Sequence, residues 1–132
     1  MITIEFNSTE FHPYLPEDCQ VNPGAYGFEL ALWLSQTLMA KGIITGYPVS
    51  EDWGWFIEYV ETDNEFMIGC SSLAECGEGY KTNALAWRVF IKQYLPWHDW
   101  QKKHAKPEIT RQLADAIIEA LTENGIHITN RH

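Results

Sequence analysis

Three cysteines, five histidines and several adjacent pairs of acids are the side chains in this sequence with the chemistry to catalyse or to bind. A thiol attacks only as the thiolate, and it needs a base or a nearby positive charge to get there. Cys76 lies within Glu75-Cys76-Gly77-Glu78-Gly79, where two carboxylates raise its pKa, and Cys19 follows Glu17-Asp18, a similarly poor setting for a nucleophile. An enzyme would therefore have to bring Cys76 or Cys19 together with His98 or His104 from a distance. Cys70 is in phase with Phe66 and Ile68 and is expected in the core as a small hydrophobe. Cys70, Cys76, His98 and His104 can be drawn as a zinc set. Five residues separate the members of each pair, however, which is looser than structural zinc sites use. Asp99 is placed to orient His98, while Trp97 and Trp100 read equally well as a packed corner. Residues 77–82 lack the Walker spacing, and Glu78 would repel phosphate. Side chains of adjacent residues on an extended chain point opposite ways, so neither Glu17/Asp18 nor Glu51/Asp52 forms an acid–base pair by itself. No catalytic residue, metal or cofactor is assigned.

Charge gives a sharper expectation. Thirteen of the eighteen acids fall in residues 1–80, where Lys41 is the only Lys or Arg, and five acids face eight Lys and Arg in the remainder. The formal −9 thus divides into −12 and +3. Nucleic-acid binding through phosphates needs a basic patch and is not expected. A concentrated negative field suits a basic protein partner, or it does no more than keep the chain in solution. Glu10, Glu17, Asp18, Glu51, Asp52, Asp63, Glu75 and Glu78 fall in loops or at strand ends, where binding surfaces usually lie. Glu58 is expected to be neutralised by Arg88 and Lys92 if their strands are neighbours, at about 0.2–1 kcal/mol per pair.

Glu51-Asp52-Trp53-Gly54-Trp55 is the least ordinary local segment. On a regular strand Trp53, Trp55, Ile57 and Tyr59 share one face, opposite Gly54, Phe56, Glu58 and Val60. Trp55 then covers a helix. Trp53, at the strand entrance, reads either as core or as an aromatic anchor behind an acidic rim. Ser50 to Trp55, followed by Ile68-Gly69-Cys70, resembles a pattern in small uncharacterised bacterial proteins. In those, a helix is expected upstream, as at 22–41, and a Trp-bearing strand downstream, as at 85–91. The resemblance spans about residues 22–91 and implies neither an activity nor a ligand.

These residues need elements to hold them. Ile2, Ile4 and Phe6 alternate as a first strand, and a proline-bearing loop runs from 7 to 21. Asn22-Pro23 predicts a helix start and Gly42 its stop, with Tyr26, Leu30, Trp33, Leu34 and Leu38 on the buried face. Strands are expected at 43–47, 53–61, 65–71 and 85–92. Residues 97–106 resist assignment. Ile109, Leu113, Ala116, Ile117, Ala120 and Leu121 mark a final amphipathic helix between Pro107 and Asn124-Gly125, and Ile126 and Ile128 suggest a last strand.

The sum is a single α+β domain over 1–132, a largely antiparallel sheet with two helices packed on one face, in the order β-α-β-β-β-β-α-β. No run of about 18 apolar residues suggests a membrane span, and the basic stretch of a secretory signal is missing, so the chain is expected to be cytoplasmic. No motif fixes an activity. The expected function is a non-enzymatic acidic binding protein, of the general character of an immunity protein that inhibits a basic toxin or nuclease. Its contacts would come from Glu17, Asp18, Glu51, Asp52, Trp53, Glu75 and Glu78. A DNA-mimic or anti-defence inhibitor and a small cysteine/histidine enzyme are the alternatives, and a homodimer through one sheet face is a further partner class.

Overall fold

Alternation of apolar and polar residues builds a six-stranded sheet in which every pairing is antiparallel. The computed structural model describes residues 1–81, 83–96, 98 and 103–132. Its elements are β1 (Ile2–Ser8), α1 (Phe28–Ala40), β2 (Val49–Glu51), β3 (Gly54–Glu61), β4 (Asn64–Ser72), β5 (Leu85–Tyr94), α2 (Pro107–Glu123) and β6 (Ile128–Arg131). Single 3-10 turns sit at Glu17–Cys19 and Glu78–Tyr80. In space the strands run β2-β3-β4-β5-β1-β6. A meander from β2 to β5 is thus completed by the first and last strands of the chain. The α+β order matches the sequence expectation.

Both helices lie on the same face of the sheet, α1 over β3 and β4 and α2 over β1 and β5. Leu30, Leu34 and Leu38 of α1, and Leu113, Ile117 and Leu121 of α2, bury against Ile4, Phe6, Ile57, Phe66, Ile68, Trp87, Val89 and Ile91. Each such side chain taken fully out of water contributes about 1.5–3 kcal/mol. Trp55 is half-buried on that face, its ring 5.1 Å from Phe28 of α1.

Several local expectations are corrected. Helix α1 begins at Phe28, not Asn22. Asn22 instead spends its side chain on the Glu51 carbonyl, at 3.1 Å, and Gly27 at φ +142° caps the helix. A Cβ on Gly27 would come within 2.6 Å of the Cys70 carbonyl oxygen, so the helix can start this close to β4 only from a glycine. Residues 43–47 do not form a strand; the Gly46 amide donates to the Glu58 carbonyl at 2.8 Å, and the short β2 follows at 49. Glu58 does not pair with Arg88, because β4 lies between their strands. Arg88 instead reaches Glu5 on β1, at 3.3 Å. The assignments for Trp97, Asp99 and Trp100 lie outside the described residues, as does Thr82.

Candidate functional site

The strand register fixes which loops share an end of the sheet. Ser8 opposes Leu85, Ser72 opposes Trp87, and Glu51 opposes Gly54. The loop after β1, the β2–β3 turn and the loop between β4 and β5 therefore emerge together. Glu10, Glu17, Asp18, Glu51, Asp52, Glu75 and Glu78 belong to these three segments. Asp63 does not; its turn, with Thr62 and Asp63 both at positive φ, closes the opposite end.

Hydrogen bonds between residues far apart in sequence stitch the three segments. The Tyr26 ring is buried beneath Gly79, and its hydroxyl donates to a Glu17 carboxylate oxygen at 2.6 Å. The same hydroxyl accepts from the Gly77 amide at 2.8 Å. Cys76 donates its thiol to the other Glu17 oxygen at 3.1 Å. Gln20 donates to the Tyr80 hydroxyl and to the Leu15 carbonyl, and the Tyr80 ring meets Tyr26 edge-on at 5.9 Å. His12 bridges the Thr9 and Asn83 carbonyls through its two ring nitrogens, at 2.7 and 2.9 Å. The Asn22–Glu51 contact ties in the β2–β3 turn.

This wiring sorts the expected contact residues. Glu17 is half-buried and engaged internally; the Tyr26 hydroxyl, more than any other neighbour, holds its carboxyl below the usual range. Glu78 accepts from the Glu75 amide at 3.3 Å. Asp18, Glu51, Asp52 and Glu75 present exposed side chains. Burial, then the Glu17 carboxylate, push the Tyr26 hydroxyl up to about 12. Tyr26, Gln20, Asn22 and His12 are the organisers that sequence reasoning missed. Nothing in their local sequence signals a role, since each acts through a partner on another segment.

Trp53 departs from its expected position. Gly54 at φ +155° breaks the alternation, and the Trp53 indole turns away from the face of Trp55. It packs against Phe90 at 5.0 Å and Phe56 at 6.5 Å, on the helix-free face, and stays 39% exposed. The indole is therefore not part of the core beneath the helices.

Cys76 does not converge with His98 and His104. Cys76 stands at the acidic end, and the Glu17 carboxylate bonded to its thiol pushes its pKa up, which disfavours the nucleophile. Cys70 is fully buried in the core, and burial pushes its thiol up as well. His98 and His104 line a hollow of about 730 Å3 with Glu61, Asp63, Gln93 and Lys106, at the opposite end of the sheet. The ten residues of β5, about 34 Å at about 3.4 Å each, separate the two ends. Among the described residues no group of three or more His, Cys, Asp and Glu side chains is placed to hold a metal ion. No helix among them is long and apolar enough to cross a membrane. Comparison of the chain with family models, curated proteins and solved structures returns no match.

Proposed function

We propose that the protein is a non-enzymatic binding protein that docks its acidic end onto a basic protein surface, in the manner of an immunity-type inhibitor covering the cleft of a basic toxin or nuclease. The observation that carries this reading is the gathering of the three acidic loops at one end of the sheet. Among the described residues no ion pair touches Glu17, Asp18, Glu51, Asp52, Glu75 or Glu78. Four of the six carboxylates are exposed on a frame held by Tyr26, Gln20 and Asn22. Unneutralised carboxylates on a rigid frame attract a cationic partner over about a Debye length and set the salt dependence of its capture. Trp53, at the edge of the same end, is exposed beside Asp52 and adds apolar area to the charged surface. The DNA-mimic alternative asks for two rows of acids along one face, and a cluster at one end serves it less well.

Affinity capture from native lysate, on wild-type protein and on a Glu51→Lys/Asp52→Lys/Glu75→Lys variant, tests the proposal. A basic partner should be retained by the wild type, released steeply as salt rises, and absent from the variant. Retention that is indifferent to salt, or equal on both proteins, would sink it.

A further inference from the structure

Trp33 falls one helical turn after Glu29 on α1, so the two side chains are neighbours on its surface. Opposite them runs the loop after β1, pinned where Phe11 buries its ring against Phe6 and Trp87, at 6.4 and 6.3 Å. Phe11 also meets Trp33, with ring centroids 5.3 Å apart and planes inclined by 54°. Helix and loop leave a hollow of about 280 Å3 between them, walled by Phe11, Tyr14, Phe28 and Trp33. Glu10 and Glu29 line the same hollow, and no Lys, Arg or His does.

Four aromatic side chains and two carboxylates around one hollow define an occupant by its charge. Neither acid is neutralised: among the described residues no ion pair reaches Glu10 or Glu29. Glu10 accepts from the Asn124 side-chain amide at 3.0 Å, and Glu29 from the Tyr14 backbone N–H at 3.5 Å. Glu29 is half-buried, and burial pushes its carboxyl above the usual range, the mark of an acid with no cation beside it. Asn124 caps the C-terminus of α2 at the rim of the hollow, which brings the negative pole of that helix there. Aromatic faces attract cations too, more strongly once the cation has shed its water. A primary ammonium is strongly hydrated and has three N–H donors to satisfy, which ring faces do poorly. A quaternary ammonium has none, and its methyl groups pack directly on rings.

We propose that this hollow binds a small free organic cation bearing a quaternary ammonium group, seated among the Phe11, Tyr14 and Trp33 rings with Glu29 and Glu10 as its counter-charge. Sites for drug-sized ligands hold about 300–1,000 Å3. A hollow of about 280 Å3 falls just below that range and suits an occupant the size of choline. Phosphocholine, free or as a lipid head group, offers the same cation with a phosphate attached, and two carboxylates at the hollow work against it. None of these residues is a contact in the docking proposal, so the two stand or fall separately.

Titration calorimetry of the full chain with choline chloride, at constant ionic strength, provides the test. The other probes are ethanolamine, phosphocholine, a trimethyllysine peptide, and the uncharged isostere of choline in which tert-butyl replaces trimethylammonium. Choline should bind with a dissociation constant of about 1 mM or below. Ethanolamine and the isostere should each bind about tenfold more weakly, the first for its hydration and the second for its missing charge. Glu29→Gln should weaken choline by about tenfold, and Glu10→Gln and Tyr14→Ala by several-fold. Glu29→Gln keeps the side-chain shape, and Tyr14 is 88% exposed, so neither change threatens the core. Asp63→Asn, which removes a carboxylate at the opposite end of the sheet, should leave choline binding as it is and so exclude general attraction of cations to an acidic chain. Absence of binding at tens of millimolar choline overturns the proposal, and so does equal binding of the isostere or of ethanolamine, or an affinity unchanged in both Glu29→Gln and Tyr14→Ala. Tighter binding of phosphocholine or of the peptide than of choline overturns the assignment to a free cation.

Discussion

Glu17 shows how a residue that looks like surface charge can serve as a structural bracket. Its two oxygens take separate donors, the Tyr26 hydroxyl and the Cys76 thiol, which come from opposite sides of a 50-residue gap in sequence. Charge-assisted bonds of this kind are stronger than neutral ones, and they shift both partners. Favouring the carboxylate lowers the pKa of Glu17; burial and then the bond to Glu17 raise that of Tyr26, and the bond to Glu17 raises that of Cys76. A raised thiol pKa leaves less thiolate at a given mildly alkaline pH. Replacing Glu17 by Gln removes the negative neighbour, so Cys76 should alkylate faster in Glu17→Gln than in the wild type at the same pH, with far-UV circular dichroism unchanged. Mass-spectrometric labelling at Cys76 reads the rate. An equal or slower rate would mean that Glu17 does not protect the thiol.

At the scale of elements, Gly54 decides where Trp53 goes. Its φ of +155° turns the chain at the entrance to β3, and a Cβ there would overlap the Cys70 carbonyl, the same oxygen that Gly27 approaches from α1. Gly54→Ala should cost about 2–3 kcal/mol through strain and overlap together. Urea unfolding should show a lower midpoint at constant slope, with Trp53 fluorescence shifted as the indole leaves Phe90. A loss below about 0.5 kcal/mol would show that the turn adjusts freely. The same turn marks where sequence stopped being a guide. Helix α2 was legible at both ends, because its apolar stripe runs between Pro107 and Asn124-Gly125 and both signals agree with the packing. Helix α1 was legible in its body but not at its start, since Asn22-Pro23 is a good local helix signal and lost to a contact with Glu51 that no local rule contains. Strand alternation identified β3, β4 and β5, yet the spatial order that separates Glu58 from Arg88 is a property of the whole sheet. The acids of the candidate site were visible as charge. Their meeting was not, because it depends on Tyr26, Gln20 and Asn22 finding partners dozens of residues away.

For the whole molecule, the ion pairs show what the division into −12 and +3 becomes after folding. Lys41, the one Lys or Arg of the first 80 residues, goes to Glu119 at 2.8 Å and Glu123 at 3.3 Å, both on α2. Arg131 goes to Asp115, at 3.0 Å. Three acids of the more basic half thus take up cations, and of the thirteen acids in residues 1–80 only Glu5 is in an ion pair among the described residues. Folding therefore leaves the excess of the first 80 residues largely uncompensated, and it sets seven of those acids together at one end of the sheet. Exposed pairs such as Lys41–Glu119 contribute little, and salt weakens them. Repulsion within the acidic end is screened by the same salt, over a Debye length of about 10 Å at about 0.1 M. The two effects have opposite signs, and the repelling carboxylates outnumber the paired ones. Raising sodium chloride from low to physiological strength should therefore raise the melting temperature at neutral pH by a few degrees, equivalent to roughly 1 kcal/mol. The gain should be smaller in the Glu51→Lys/Asp52→Lys/Glu75→Lys variant, which has lost the crowding that salt relieves. A melting temperature that falls with salt in the wild type would mean that attraction across α2 and β6 outweighs repulsion at the acidic end, and that the gathered loops hold no unspent charge for a partner to neutralise.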